Sequence, residues 1–433
     1  MLKIVGDINL TDGFFDVGYG IGSKLKSGFD PFGRINRHQG DCWIGNFEGV
    51  ASDVSDRTGV AANQFRIDPQ YLKHLDHFEF YSIANNHVMQ HGTDAYQRTN
   101  EVLTSFASGC FGSSSNRTVR FEHQGRKVSI TGFSQRIDCF SLDPAYWYNP
   151  EYKEIEIELA SISSDTFKIV YVHWGNEFIN RPSSQQKRFA HWLVDAGADL
   201  VIGLHPHVLQ GYESYREKYI FYSLGNFVFN MPWEPTKYGA LISIDLLNET
   251  VHPVVDYIRI DEDGAPVITD DEHVPCNLRF SFLNELIDKE DNSEEYHADI
   301  RNFYNQYRKA NHLDIIKRMI GHPKLIGYLM KDFISPYNFV SNINIEDSDK
   351  SEIGVITVKG YSLPILKSEE DKYEIIYDIP KSLVAPIKLN EKVGSVKLLK
   401  DGELIYEDVL ITIEDADNND IKYLIDNIMD KWF

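Results

Sequence analysis

Short apolar runs that end in polar or glycine-rich residues recur through the first 245 residues. These runs are LKIVGD (2–7), DCWIGNFEG (41–49), FEFYSIANNH (78–87), KVSITGFS (127–134), FKIVYVHWG (167–175), DLVIGLHPH (199–207) and YIFYSLGNF (219–227). Near-continuous apolar strands are typical of a sheet that is covered on both faces. The pattern therefore predicts an α/β fold for this part of the chain.

Helical spacing separates several of the apolar runs. In 183–197, the residues Phe189, Trp192, Leu193 and Ala196 fall on one helical face. The serines at the start of this stretch could cap the helix, and the glycine at its end could terminate it. A second helix is predicted over 92–106. In such folds, ligands collect at the carboxyl ends of the strands, where the polar residues stand.

The remaining sequence changes character twice. The pattern predicts four segments: an α/β domain (1–275), a helical segment with a linker (276–350), a small β domain (351–415) and a C-terminal amphipathic helix (416–433). Residues 336–352 are polar and favour a linker. Asp401-Gly402, between two alternating runs, predicts a β-hairpin.

Composition narrows the function classes. Asp and Glu total 65 against 43 Lys and Arg, which gives a formal net charge of −22. This argues against a nucleic-acid partner and against adsorption to an anionic membrane. The four cysteines form no CxxC pair. Because we find neither a secretory signal pattern nor an apolar run approaching 18 residues, the expectation is a soluble, cytoplasmic protein.

The polar residues that end the apolar runs form a mixed oxygen and nitrogen ligand set. Each alone has an ordinary explanation, since a single Asp often forms a turn and a single His often lies in a core. Together they suit two divalent ions that share a carboxylate. The candidate residues are Asp7, Glu48, Asn85, Asn86, His87, His173, Glu177, His205, His207, Ser223, Gly225 and Asn226.

With these motifs in place, residues 2 to about 245 resemble the CapA family of capsule and poly-γ-glutamate biosynthesis proteins. The matching motifs are Gly6-Asp7, Asn46-Phe47-Glu48, Ala84-Asn85-Asn86-His87, His173-Trp174-Gly175-Asn176-Glu177, Gly203 with His205-Pro206-His207, and Tyr222-Ser223-Leu224-Gly225-Asn226-Phe227. The family is related to calcineurin-like metallophosphoesterases. The resemblance implies a metallophosphoesterase-like two-sheet sandwich flanked by helices.

The resemblance also implies roles for the site residues. Asp7 and His207 would hold one ion, whereas Asn86, His173 and His205 would hold the other. Glu48 would stand in for the bridging carboxylate. His87 would donate a proton or contact a phosphate, with Glu177 and Asn226 as further catalytic candidates. The two ions would be divalent (Mn, Zn or Fe).

One motif departs from the family pattern. The family usually continues Asn-Asn-His with an Asp and then an aromatic residue before the glycine, whereas Gln90 and His91 precede Gly92 here. His91 could be a substitute polar group, but a surface role is the favoured interpretation. Two hypotheses follow: a metal-dependent hydrolase of phosphoesters or of γ-glutamyl amides, acting in cell-surface polymer synthesis, or a non-catalytic polymer-binding or scaffold component of a capsule synthesis and export complex.

Residues from about 373 to 411 resemble the C-terminal β domain of D-Ala-D-Ala carboxypeptidases, through Pro380-Lys381, Ala385-Pro386-Ile387 and Gly394. In that family an amphipathic membrane-binding helix follows. Here the helix of 418–432 carries acidic residues on its polar face, which favours packing on protein over membrane binding. The expected partners are an anionic polymer or phosphoester substrate and capsule-synthesis proteins, with peripheral envelope association as the alternative to a purely cytoplasmic location.

Overall fold

The computed structural model describes two compact units of the chain, Met1–Ile315 and Ile316–Phe433. The described residues are all except 137, 249, 290–292, 321–330, 335–340, 347–351, 359–362, 367–371 and 417–433. The predicted C-terminal helix therefore lies almost wholly outside the described residues.

The first unit alternates strands with helices. Its strands are β1 (Leu2–Ile8), β2 (Cys42–Phe47), β3 (Val50–Ala51), β4 (Arg66–Ile67), β5 (Phe80–Ser82), β6 (Gly109–Phe111), β7 (Thr118–His123), β8 (Arg126–Ser134), β9 (Phe167–His173), β10 (Leu200–Leu204), β11 (Leu209–Tyr215), β12 (Lys218–Leu224), β13 (Asn226–Val228), β14 (Tyr238–Ile244), β15 (Val254–Ile260) and β16 (Pro266–Thr269). Its helices are α1 (Ile21–Lys26), α2 (Thr93–Phe106), α3 (Tyr152–Ala160), α4 (Ser184–Asp195), α5 (Phe280–Glu285) and α6 (Ser293–Ile320), the last of which runs past the division between the units. Short 3₁₀ helices cover Gly59–Asn63, Pro69–Tyr71, Leu75–His77, Glu234–Lys237, Asp271–His273 and Cys276–Leu278.

Two sheets form the first unit. The larger follows the order β16–β15–β14–β1–β2–β5–β6, with β13 also paired to β1, and the other follows β11–β12–β10–β9–β8–β7. The strands β1, β2, β5 and β6 are mutually parallel, as are β8, β9, β10 and β12. Parallel strands within each sheet therefore bring their carboxyl ends to one edge.

The two sheets pack face to face. Ile4 and Ile44 from the first sheet and Ile169 and Ile202 from the second are buried in one shared core. A second core lies under α1 and α2, on the other face of the first sheet, and a third lies under α3 and α4. Each such aliphatic side chain contributes about 1.5–3 kcal/mol on burial. The expected two-sheet sandwich flanked by helices is confirmed.

The predicted helices are confirmed with their ends. In α4, the Ser183 hydroxyl accepts from the backbone N–H of Gln186, and the Gln186 side chain accepts from the backbone N–H of Ser183. This capping box satisfies two N–H groups that would otherwise lack partners. Gly197, with φ of +107°, follows the helix in the left-handed region. Helix α2 begins after Gly92, close to its predicted start.

After the end of α6, the regular elements among the described residues of the second unit are strands. They are β17 (Lys331–Ile334), β18 (Ser341–Glu346), β19 (Glu352–Thr357), β20 (Leu363–Leu366), β21 (Tyr373–Asp378), β22 (Ser382–Val384), β23 (Lys392–Lys400) and β24 (Glu403–Thr412). Six of them form a sheet in the order β21–β23–β24–β19–β18–β22, and β17 pairs with β20. Asp401 and Gly402 both have positive φ (51° and 81°) between β23 and β24, so the predicted hairpin is confirmed.

The prediction of a linker over 336–352 is wrong for β18 (Ser341–Glu346). Ile343 and Ile345 are buried, whereas Asn344 and Glu346 between and after them are exposed. This alternation is the two-residue period of a strand, although polar residues surround it in the sequence. The β-sheet thus begins before residue 351. Among the described residues, no helix is both long and apolar enough to cross a membrane.

Gly203, in β10, lies where a neighbouring strand comes very close. A Cβ at this position would overlap the backbone carbonyl oxygen of Tyr222 and the indole nitrogen of Trp174. Trp174 Nε1 donates to that same carbonyl at 2.9 Å. The absence of a side chain therefore lets β10, β12 and the loop after β9 meet beside His205.

We expect Gly203→Ala to lower the free energy of unfolding by about 3 kcal/mol, because the backbone carbonyl of Tyr222 cannot move without breaking the sheet. The measurement is urea denaturation followed by tryptophan fluorescence. Gly109→Ala in β6 is the matched control, since its Cβ would meet no atom nearer than 3.7 Å. Equal stabilities of the two variants would contradict the expectation.

Candidate metal centre

The candidate ligands lie at the carboxyl ends of strands from both sheets. The first sheet contributes the end of β1, the residue after β2 and the loop after β5, and the second contributes the ends of β9 and β10. Because the two sheets face each other, these ends converge at one end of the sandwich. In chain order the residues are Asp7, Glu48, Asn86, His87, His173, His205 and His207.

The His205-Pro206-His207 turn has an unusual backbone. His205 has φ of +93° and His207 has φ of +57°, in the region that L-residues seldom adopt. The amide of His205 donates to Asp7 Oδ2 at 3.2 Å, and the Pro206 carbonyl accepts from the amide of Phe178 at 2.8 Å. These bonds hold the turn so that both imidazoles project toward Asp7 and Glu48.

Glu48 lies at the centre of the cluster and is fully buried. Its Oε1 is 3.7 Å from His207 Nε2, 3.8 Å from His173 Nε2 and 3.9 Å from His87 Nε2. All three distances are too long for hydrogen bonds. Among the described residues, neither carboxylate oxygen of Glu48 has a hydrogen-bond partner.

Two sets of side chains, one of two residues and one of three, flank this carboxylate. On one side, His207 Nδ1 is 3.4 Å from Asp7 Oδ2. On the other, His173 Nε2 is 2.8 Å from Asn86 Oδ1 and 3.1 Å from His205 Nδ1.

Ligand atoms also converge in two overlapping groups, Glu48 with His205 and His207, and Asp7 with Glu48 and His173, each within 4.8 Å. His173 Nδ1 and His205 Nε2 are buried without a partner among the described residues. Unpaired carboxylate oxygens facing imidazole nitrogens are the donor set that divalent cations take, so the residues fit a metal centre.

Burial dominates the electrostatics. It raises the pKa of Glu48 well above its usual value, and the charge of Asp7 adds to the rise. Burial lowers the pKa of His87 and of His173 to about 3, which keeps both imidazoles neutral. His207 is the exception: burial lowers its pKa, but the charges of Glu48 and Asp7 outweigh this and raise that pKa to about 10. Neutral imidazole is the form that binds metal.

Asparagines hold the ligands in place. Asn46 Nδ2 donates to Asp7 Oδ1 at 2.8 Å, and Asn85 Nδ2 donates in turn to Asn46 Oδ1 at 3.2 Å. Asn226, a sequence candidate for catalysis, has its Oδ1 2.9 Å from His207 Nδ1 and donates to the Thr236 carbonyl at 3.0 Å. It therefore contacts a candidate ligand and positions that imidazole.

His87 is positioned by two contacts. Its ring stacks on Phe65 with centroids 3.8 Å apart and planes 3° from parallel. Its Nδ1 is 2.9 Å from Gln90 Oε1. Gln90 stands where the family usually has an aspartate. It thus contacts His87 through an amide oxygen in place of a carboxylate.

Two further residues of the sequence motifs, one of them the candidate Glu177, lie beside this group. Contrary to the sequence reading, His91 is buried, with its ring nitrogens 2.7 Å from Ser55 Oγ and from the Gln64 carbonyl oxygen. Glu177 is half-buried, and its charge raises the pKa of both Glu48 and His207.

Sequence reasoning missed two features around the centre. Arg136 follows β8, and its Nη1 donates to the Gly175 carbonyl at 2.6 Å, in the loop after His173. The apolar run 127–134 was a signal for this position, because it also ends in polar residues. Helix α6 supplies Tyr307, whose ring stacks at 4.1 Å on Phe178 beside the centre; no sequence signal indicated that contact.

Comparison with known proteins assigns the first unit to a protein family. The family described as "Bacterial capsule synthesis protein PGA_cap" matches residues 1–231, more than half of the 433 residues. The chain belongs to this capsule synthesis family. The matched region contains every candidate ligand, from Asp7 to His207, so the CapA resemblance is confirmed.

The chain spans about half the length of the two curated relatives that it matches. The chain is 30% identical over 206 residues to "Capsule biosynthesis protein CapA" of Bacillus anthracis, covering 44% of this chain and 49% of that protein. It is 34% identical over 182 residues to "PGA biosynthesis protein CapA" of Bacillus subtilis (strain 168), covering 39% and 47%.

The second unit matches a different family, "Penicillin-binding protein 5, C-terminal domain", over residues 329–418, which confirms the second resemblance. Among solved structures, a novel phosphatase from Mycoplasma pneumoniae covers 63% of this chain and 94% of its own, at 13% identity and a TM-score of 0.37. At that score the match adds nothing to the fold, which rests on the sheets themselves.

We expect Glu48→Gln to raise the melting temperature in the presence of a chelator, with a gain of about 1–3 kcal/mol in the free energy of unfolding. The reason is that a buried carboxylate without hydrogen bonds costs stability. The same substitution should abolish the rise in melting temperature that added Mn²⁺ or Zn²⁺ produces in the wild type. The measurement is a thermal melt with chelator and with each ion.

Glu213→Gln serves as the control of opposite sign. Glu213 Oε1 accepts from the hydroxyl of Tyr222 at 2.5 Å and lies 2.8 Å from His191 Nε2, so its substitution should lower the melting temperature. A Glu48→Gln chain that melts no higher than wild type in chelator would contradict the account of this carboxylate.

Proposed function

We propose that the protein is a dinuclear metal-dependent hydrolase that acts in the synthesis of an anionic cell-surface polymer of the capsule type. The observation that carries the proposal is the buried Glu48 carboxylate, which faces three imidazoles at 3.7–3.9 Å and has no hydrogen bond among the described residues. Membership of the capsule synthesis family supports the biological setting.

The proposed ligands divide between two ions as the family resemblance implies. Asp7 and His207 would hold one ion, and Asn86, His173 and His205 the other. Glu48 Oε1 lies between the two groups, at 3.7 Å from His207 and 3.8 Å from His173, as a bridging ligand would. Bound divalent ions would lower the pKa of a water and offset the negative charge that grows on the scissile group. The mixed oxygen and nitrogen donors suit Mn, Zn or Fe.

His87 is the proposed proton donor or substrate contact. Its stacking on Phe65 and its contact with Gln90 fix the ring, while Nε2 points toward Glu48 at 3.9 Å. A positioned imidazole beside the leaving group supplies a proton in general acid catalysis. Glu177 is a second candidate for proton transfer, because it is half-buried and near enough to act on Glu48.

The proposed substrate is a phosphoester or the γ-glutamyl amide of an anionic polymer. The same activated water could attack either a phosphorus atom or a carbonyl carbon. Other capsule-synthesis proteins are the proposed partners, which is consistent with the names of the two relatives, both of them biosynthesis proteins.

We expect the wild-type chain to bind close to two ions and to hydrolyse a member of a panel of phosphoesters and poly-γ-glutamate. His205→Ala should lose bound metal and at least about a hundredfold of the activity, because the imidazole is a ligand. The measurements are metal content by mass spectrometry and initial rates.

His191→Ala is the control for this experiment, since His191 contacts Glu213 at 2.8 Å and lies on α4, away from the centre. This variant should keep both metal and activity. A metal-free wild type that is inert on every substrate even with added ions would refute the hydrolase.

We expect Gln90→Ala to reduce kcat roughly five- to tenfold with unchanged metal content, because it removes one hydrogen bond that orients His87. KM should change less than kcat. Gln90→Glu retains an oxygen acceptor and should restore the rate. Equal kcat values for wild type and Gln90→Ala would contradict this positioning role.

The second candidate function is a non-catalytic polymer-binding component. It is favoured by Gln90, because a neutral amide stabilises a protonated His87 less than a carboxylate would. A wild-type chain that binds its ions and poly-γ-glutamate, yet hydrolyses no substrate, would establish this alternative instead.

A further inference from the structure

Arg136 lies at the carboxyl end of β8, the strand beside β9 and its terminal ligand His173. Its Nη1 donates to the Gly175 carbonyl at 2.6 Å and to Asn176 Oδ1 at 3.4 Å. Both acceptors belong to the loop that runs from His173 toward Glu177. One edge of the guanidinium is thus anchored within the loops of the metal centre.

The rest of this guanidinium has no partner in the part of the chain that the structure describes. Among the described residues, Arg136 forms no ion pair, and its Nε and Nη2 make no hydrogen bond. The contrast with Arg181 is informative, because Arg181 lies 3.0 Å from the carboxylate of Asp299. In a chain with a net charge of −22, a half-buried arginine without a carboxylate partner retains its capacity to bind an anion.

The backbone places Arg136 beside the candidate metal centre. Ser134, two residues before it, lies opposite His173 in the pairing of β8 with β9. The amide of Gln135 donates to the carbonyl of His173 at 2.9 Å. A positive group at this end of the two strands is placed to attract an anionic substrate to the same position.

We propose that Arg136 binds an anionic oxygen group of the substrate, a carboxylate or a phosphate, next to the metal centre. The identity of that substrate rests on the proposed function. Guanidinium is planar and presents parallel N–H groups, so it can bind two oxygens of one anionic group while Nη1 keeps its contact with Gly175. The residue would select substrates that carry negative charge beside the scissile bond.

The test is isothermal titration calorimetry on the full chain loaded with Mn²⁺, with two probes: a γ-linked glutamate pentamer and inorganic phosphate. Arg136→Gln should raise the Kd of at least one probe about tenfold or more, the effect of losing a charged hydrogen bond. Weakening of the pentamer alone would identify a carboxylate group, and weakening of phosphate as well would identify a phosphate-type site.

Arg126→Gln is the matched control. Arg126 begins the same strand β8 at its opposite end, is also half-buried, and donates to the Asn248 carbonyl. Its substitution by Gln removes the same charge as the substitution of Arg136. Its variant should bind both probes as the wild type does. Arg136→Lys keeps the charge but not the planar fork and should bind at least threefold more weakly; it decides the case if Arg136→Gln loses its metal.

Equal affinities of the wild type and the Arg136 variants for both probes would overturn the proposal, as would a metal-loaded wild type that binds neither. Hydrolysis is measured in the same preparations. A wild type that binds the pentamer through Arg136 but cleaves nothing would refute the hydrolase and leave the anion site standing.

Discussion

A carboxylate buried without a hydrogen bond is the constraint on which this structure depends. Glu48 lies where the two sheets meet, and neither of its oxygens has a protein partner among the described residues. Water cannot offset that charge, so the group either takes up a proton, as its raised pKa indicates, or lies beside a cation, whether a protonated imidazole or a metal ion. The raised pKa of His207, the asparagines behind Asp7 and the packed loops around them are arranged about this one group. The sandwich brings the ligands together, and a bound cation would make their proximity favourable.

Much of this arrangement could be predicted from the sequence, for a physical reason. Strands buried on both faces are recognisable by their length and apolarity, and their carboxyl ends are where polar residues become accessible to a ligand. Asp7, Glu48, His173 and His205 were therefore identifiable, and the capping serine of α4 was as well. The family resemblance added a division of the ligands between two ions, whereas the distances group Glu48 with His205 and His207, and Asp7 with Glu48 and His173.

The remaining features depend on contacts between residues far apart in the chain. Arg136 follows a strand like the others, but nothing local distinguishes an arginine that donates to the loop after His173 from one at the surface. The contact of Tyr307 with Phe178 joins residues from a helix and a loop that share no sequence pattern. β18 was missed because two isoleucines among polar neighbours give a weak strand signal, and its sheet partner β19 supplies the missing stability.

The backbone of the His205-Pro206-His207 turn sets stability against chemistry. A loop designed for stability alone would place glycine or asparagine at the two positions of positive φ, since a histidine there costs about 1–3 kcal/mol. Those residues would lower the energy of the turn and remove both imidazoles. Selection of this chain for heat resistance would therefore favour substitutions that dismantle its metal centre first, which makes these two positions the ones to hold fixed when the protein is engineered.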